Sequence, residues 1–206
     1  MKTALKVCAL CLALAGGNPI LWAAGGGGMS SSPMTASQPK KTPQQRAIDS
    51  YNQGIRARDK AHQYESKLAE LDDQKAISKL QKKIDKQYKR AAKKYRSAIK
   101  HEPRLYQAHG SLGYSLKQLG DFEGAMAAYD ESLRLRPEYT PAIEYRAEAH
   151  LALARFDEVI EAHSHLAYRD HGHQRELEQA IAFWLQETER SDVNAGFYDW
   201  AVTLRR

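Results

Sequence analysis

An all-α fold built from repeated helical hairpins is predicted from three observations. From Arg46 onward, apolar and small residues recur at helical spacing, and no stretch shows sustained strand-like alternation bounded by turns. Residues return at an interval of 34: Ala91 with Ala125, Tyr95 with Tyr129, and Pro103 with Pro137. Each of those prolines stands just beyond a segment carrying Ala and Tyr on one helical face, where it forbids continuation.

The clearest unit is 106–139, which contains "SLGYSLKQLGDFEGAMAAY". Gly120 suits the left-handed residue that closes a first helix, and Asp121 suits the cap of a second. Antiparallel helices approach closely where side chains are small, so Gly113 and Ala125 are expected at the crossing with Leu112, Leu116 and Tyr129 around it. Together with Pro137, and with His109 in place of a leading Trp, these residues resemble a tetratricopeptide repeat. The resemblance implies a right-handed helical solenoid of about three such repeats.

The flanking units follow from the same template. Residues 140–173 read as a degraded repeat. Thr140 is expected to cap its first helix, Pro141 to open it and Ala147 to take the close-contact position. Ala154-Arg155 replaces the Gly-Asp turn, and Val159, His163 and His171 stand where Ala, an aromatic and Pro are expected. Upstream, Ala91, Tyr95 and Pro103 mark a second helix whose first helix lies far back, near Gly54. The separation predicts a hairpin over 46–105 with each helix about 12 residues longer than in the best repeat, roughly 18 Å of extra length. Apolar positions on both sides recur near the coiled-coil period. The tip, Asp72-Asp73, lacks Gly or Pro, which leaves one long helix as the alternative. Residues 174–206 hold two amphipathic segments, "RELEQAIAFWLQE" and "NAGFYDWAVTL", read as capping helices over the open end of the 46–173 repeat domain.

Ahead of the helices, Lys2 and Lys6 precede an apolar run, Val7 to Ala15, and small residues follow at Ala23 and Ala24. That order predicts a cleaved secretory signal over 1–24 and an exported, periplasmic protein, with an uncleaved membrane anchor as the alternative. Residues 25–45, rich in Gly, Ser, Pro and Thr, are expected to be a disordered leader. Both cysteines, Cys8 and Cys11, fall inside the signal, so the mature chain offers no disulfide, thiolate zinc site or cysteine nucleophile.

Charge divides along the chain. Residues 55–104 hold 16 Lys or Arg against 7 Asp or Glu, whereas 105–206 hold 10 against 17. The basic hairpin, with Lys79, Lys82, Lys83, Lys86, Lys89, Arg90, Lys93 and Lys94, is a candidate surface for anionic lipid, a polyanionic envelope polymer or an acidic protein face. A solvated outer face is the competing reading. Nucleic acid ranks last among partners, because no reading motif accompanies the basic stripe.

The resemblance further implies that the first helix of each repeat lines a concave groove holding a peptide or helix. Carried over by position, the groove residues are Tyr51, Ile55 and Arg58, then Gln107, Tyr114 and Lys117, then Glu144, Glu148 and Leu151. The Lys and Asn pair with which some relatives clamp a terminal carboxylate is absent, since Gly110 and Tyr114 occupy those places. His163, His165, His171 and His173 invite a metal reading, but His163 and His165 are two positions apart and fall on different helix faces, so no metal is assigned. No nucleophile motif, phosphate loop or paired-carboxylate arrangement is present. A non-enzymatic protein-binding adaptor of the bacterial cell envelope, without cofactor or small-molecule substrate, is therefore expected, and a tether to an anionic surface is the alternative.

Overall fold

The computed structural model describes residues 40–68, 70–188 and 193–204. The expected signal and the leader through residue 39 lie outside the described residues. Among the described residues eight helices follow in order: α1 (Pro43–Leu68), α2 (Gln74–His101), α3 (Tyr106–Gln118), α4 (Phe122–Leu135), α5 (Thr140–Ala152), α6 (Phe156–Arg169), α7 (His171–Glu187) and α8 (Ala195–Thr203). Among the described residues there is no strand.

Helix α1 starts three residues before the expected boundary at Arg46, because Thr42 and Gln45 cap it reciprocally. The Gln45 N–H donates to Thr42 Oγ1 at 3.2 Å, and the Thr42 N–H donates to Gln45 Oε1 at 2.8 Å. Pro43 fills the first helical position, where a missing N–H costs nothing. At the far end, Asp73 accepts from the Ala76 N–H at 2.7 Å and starts α2 after a short turn. A carboxylate cap thus does the work for which the sequence offered neither Gly nor Pro.

The pair is antiparallel, as its contacts show: the Ser50 and Ser97 hydroxyls lie 3.1 Å apart, and the Tyr88 hydroxyl donates to Glu65 Oε1 at 2.8 Å. These helices are 26 and 28 residues long against 13 and 14 for α3 and α4, so the elongated first hairpin is as expected. At a rise of 1.5 Å per residue they extend about 40 Å, twice the length of the next pair. Ala47, Gly54, Ala57 and Ala61 on α1 bury against Ile84, Tyr88, Ala91, Tyr95 and Ala98 on α2. Small residues on one helix make room for rings on the other.

First helices stand side by side. Tyr114 of α3 touches His62 of α1 and Tyr145 of α5, and Glu144 of α5 meets His173 of α7. One core gathers Tyr95, Leu112, Leu116, Ala125 and Tyr129 between the first two hairpins. A second gathers Ile143, Leu151, Val159, Leu166, Leu177, Ile181, Trp184 and Phe197 from α5 to α8. The two C-terminal helices keep the 34-residue interval, since Phe197 follows His163 and Tyr129, and Ile181 follows Ala147 and Gly113. They cover the last repeat by continuing its pattern, α7 with 17 residues and α8 with only 9.

Two local expectations are corrected. Thr140 does not cap α5; its hydroxyl donates to Asp170 Oδ2 at 2.9 Å, and Tyr139 precedes the helix without a side-chain cap. Helix α7 begins at His171, within the expected third repeat, because Asp170 accepts from the Gly172 and His173 N–H groups at 3.0 and 3.2 Å. His171 and His173 are therefore first-turn residues of α7.

Candidate partner-binding face

The spacing of the repeat is set by two glycines. A Cβ on Gly113 would lie 2.6 Å from the Tyr129 ring, and a Cβ on Gly54 would lie 2.4 Å from the Tyr95 ring. Tyr95 and Tyr129 are both fully buried. At the crossing, glycine faces the tyrosine ring, and Ala125 is buried in the same core with Leu112, Leu116 and Tyr129. Two hairpins of different length share one contact, and it registers Tyr51, Ile55 and Arg58 with the positions on α3.

The described chain is an all-α array of antiparallel helical hairpins. Two solved structures are similar to it. One is described as the "TPR2B-domain:pHsp70-complex of yeast Sti1", with 17% identity over 69% of this chain and 98% of that chain and a TM-score of 0.49. The other, "First TPR of Spaghetti (RPAP3) bound to HSP90 peptide SRMEEVD", has 17% identity over 64% of this chain and 95% of that chain and a TM-score of 0.43. No family model and no curated protein matches the sequence.

Within the array, the predicted groove residues divide into two groups. Tyr114, Lys117, Glu144, Glu148 and Leu151 are closed over one another or over neighbouring helices. Lys117 forms an ion pair with Glu148, their side chains only 6% and 8% exposed. The ammonium also lies 5.4 Å from the Tyr114 ring and 5.3 Å from the Tyr145 ring, so aromatic faces replace part of its lost hydration. Tyr114 packs 4.9 Å from Tyr145 and shares a 3.0 Å hydrogen bond with His62 Nε2. Burial holds the Tyr114 hydroxyl well above the usual phenol range and pushes His62 down to about 4, with the Arg58 guanidinium adding to the His62 effect.

Glu144 and Glu148, both carried over as groove positions, point to different partners. Glu148 goes to Lys117, and Glu144, 2% exposed, goes to His173 on α7. Burial pushes the Glu144 carboxyl up to about 8, opposed by its contact with His173. That same hydrogen bond raises the His173 imidazole. Leu151 is a core residue, packed with Val159, Leu166 and Ile181. The physical reason is the closeness of successive first helices, which lets opposite charges on α3, α5 and α7 meet instead of facing solvent.

The remaining predicted residues stay accessible in part. Tyr51, Ile55 and Gln107 are half-buried, Tyr51 and Ile55 packing against the first core. Arg58 pairs with Asp59 at 2.8 Å. Tyr51 stacks obliquely on Tyr95 at 5.6 Å, and Tyr106 meets Tyr139 edge-on at 5.0 Å. The Gln107 side-chain oxygen has no hydrogen-bond partner. Residues that sequence reasoning missed include His62, Glu65, Tyr145 and His173. His62 could have been found, because it lies one helical turn after Arg58 on the same face.

On the hairpin, Lys79, Lys82, Lys83, Lys86, Lys89, Arg90 and Lys93 are exposed and Lys94 is half-buried. None of these eight forms an ion pair among the described residues. Lys83 instead sits 5.8 Å above the Tyr64 ring. No described helix is long and apolar enough to cross a membrane.

Proposed function

We infer that this protein is a non-enzymatic adaptor of the cell envelope that holds a protein segment on the inner layer of its array. The observation that carries this reading is the row of Tyr51, Ile55 and Gln107 on α1 and α3, half-buried side chains that combine an aromatic face, an aliphatic contact and an amide beside the Arg58 guanidinium. Such a row suits an extended peptide or helix bearing an apolar anchor next to an acidic group. The buried Tyr114, Lys117 and Glu148 then act as the frame beneath the face.

Photocrosslinking in intact cells from position 51 or 55 tests the assignment. A discrete protein adduct that disappears with Ile55→Asp, while the folded helical content is unchanged, is the expected result. Adducts insensitive to Ile55→Asp and to Gln107→Ala, in a chain that remains folded, would reject the face. Envelope placement rests on the Lys2, Lys6 and apolar pattern at the start of the sequence, and N-terminal sequencing of the protein from cell fractions tests it.

The second reading, a tether to anionic lipid or polymer, is favoured by the unpaired cations of α2. Their attraction to an anionic surface would fade with salt. Binding to anionic vesicles that is lost when Lys82, Lys83, Lys86 and Lys89 are all changed to Glu would support it, and salt-insensitive binding would not.

A further inference from the structure

We propose that Glu144, His173 and Glu176 bind one divalent transition-metal ion, with zinc the fitting probe, and that the ion joins α7 to α5. One donor atom from each of the three residues lies within 4.8 Å of the other two. His173 Nδ1 and Glu176 Oε2 are 3.4 Å apart. Metal–ligand bonds of about 2.0–2.2 Å at tetrahedral angles separate neighbouring donors by about 3.3–3.5 Å, so this pair already has the spacing of two ligands. His173 and Glu176 are three positions apart on α7 and share a face, the spacing that the His163 and His165 pair lacks. Glu144 reaches them from α5, in contact with His173 Nδ1.

The surroundings point the same way. On the other side of the ring, Asp170 Oδ2 lies 3.8 Å from His173 Nε2, a nearby carboxylate beyond direct hydrogen-bond reach. Asp170 is itself fixed by Thr140 Oγ1 and by the Gly172 and His173 N–H groups. The His173 backbone is thereby held by the Asp170 side chain.

Charge supplies an independent reason. Three carboxylates, Glu144, Asp170 and Glu176, surround a single imidazole, and no Lys or Arg is within ion-pair distance of any of them among the described residues. A divalent cation that displaces the proton shared by Glu144 and His173 would meet the Glu144 and Glu176 carboxylates, with His173 as a neutral donor. A mixed set of one nitrogen and two oxygens suits zinc and its first-row neighbours better than calcium or magnesium. His173 and Glu176 side chains are 22% and 28% exposed, so an ion can enter from solvent and complete its coordination with water.

The test uses the full untagged chain, stripped with chelator, titrated with zinc by calorimetry and with cobalt by visible absorption. One ion per chain, a four-coordinate cobalt spectrum and a zinc-dependent rise in melting temperature are expected. Glu176→Gln, at the partly exposed ligand, should weaken zinc binding at least tenfold and abolish the thermal shift without changing helical content. Glu144→Gln should do the same as a second variant. No zinc binding up to hundreds of micromolar overturns the proposal, as does binding unaffected by Glu176→Gln. Binding that is instead lost in a His165→Ala, His171→Ala chain marks adventitious capture by surface histidines and also overturns it.

Discussion

The second and third hairpins carry the same fold with different degrees of local agreement. After α3, the Gly120 N–H donates to the Lys117 carbonyl and the Asp121 N–H to the Leu116 carbonyl, closing the helix with Gly120 at φ 79°. After α5, the Ala154 N–H donates to the Leu151 carbonyl and the Arg155 N–H to the His150 carbonyl, an identical bonding pattern with Ala154 at φ 55°. Asp121 then caps α4 by accepting from the Gly124 N–H at 3.0 Å, whereas Arg155 makes no side-chain cap for α6. In the third hairpin tertiary packing holds a turn for which its own residues are poorly suited. Local chemistry and burial are separable contributions, and the strained turn sits beside the well-packed second core.

The largest break in the comparison is expected at the ring position. Tyr129→Ala empties a fully buried site beside Gly113 and should cost about 3–5 kcal/mol in urea unfolding. His163, its counterpart 34 residues on, has left that role: its Nε2–H donates to Glu178 Oε1 at 2.8 Å and its ring meets Trp200 edge-on at 5.3 Å. His163→Ala should cost about 1 kcal/mol, the scale of one part-buried hydrogen bond.

Next comes the glycine. Gly113→Ala forces a Cβ against the Tyr129 ring, an overpacking cost of about 1–3 kcal/mol that exceeds the helix-propensity gain of about 1 kcal/mol. Ala147→Gly, at the matching place in the third hairpin, should cost only about 1 kcal/mol from propensity. If both changes were equally mild, the glycine would not be setting the distance between helices.

A pH effect of similar or smaller size separates the seam of the first two hairpins from the rest. His62 has a folded value of about 4, below the ordinary 6.5 of the free side chain, because it is buried neutral. The unfolded chain therefore takes up the proton first. The contribution is fully present above about pH 6.5 and is lost as pH falls toward 4, on the order of 2 kcal/mol after allowance for partial exposure. Comparing wild type with His62→Gln across pH 4 to 7 isolates it, and parallel curves would contradict the assignment.

The smallest changes act at the turns themselves. Ala154→Gly should stabilise by about 1 kcal/mol by relieving the left-handed backbone, and Gly120→Ala should destabilise by a similar amount. Arg155→Asp should add up to about 1 kcal/mol by supplying the missing cap, mirrored by an equal loss for Asp121→Ala. Thermal unfolding at fixed pH reads all four.

Much of the architecture was legible because it depends on short-range rules. The 34-residue interval, Gly120 with Asp121, and the excess length before Pro103 each reflect backbone geometry that a residue imposes where it stands. The start of α1 was equally available in Thr42-Pro43-Gln44-Gln45, yet the polar composition of the leader masked it. The candidate face was less legible. Of the positions carried over from the family, Tyr51, Ile55 and Gln107 are half-buried, whereas Tyr114, Lys117, Glu144, Glu148 and Leu151 are closed over by neighbouring helices.

By itself the sequence determined that the chain is helical, where most helices end, and that the first hairpin is long, since propensity, caps and periodicity act within a few residues. Only the tertiary structure decided that Lys117 meets Glu148, that Glu144 meets His173, and that a tyrosine ring rests on each crossing glycine. Those outcomes depend on distances between side chains far apart along the chain, where packing selects among partners that charge and hydrophobicity alone leave equivalent.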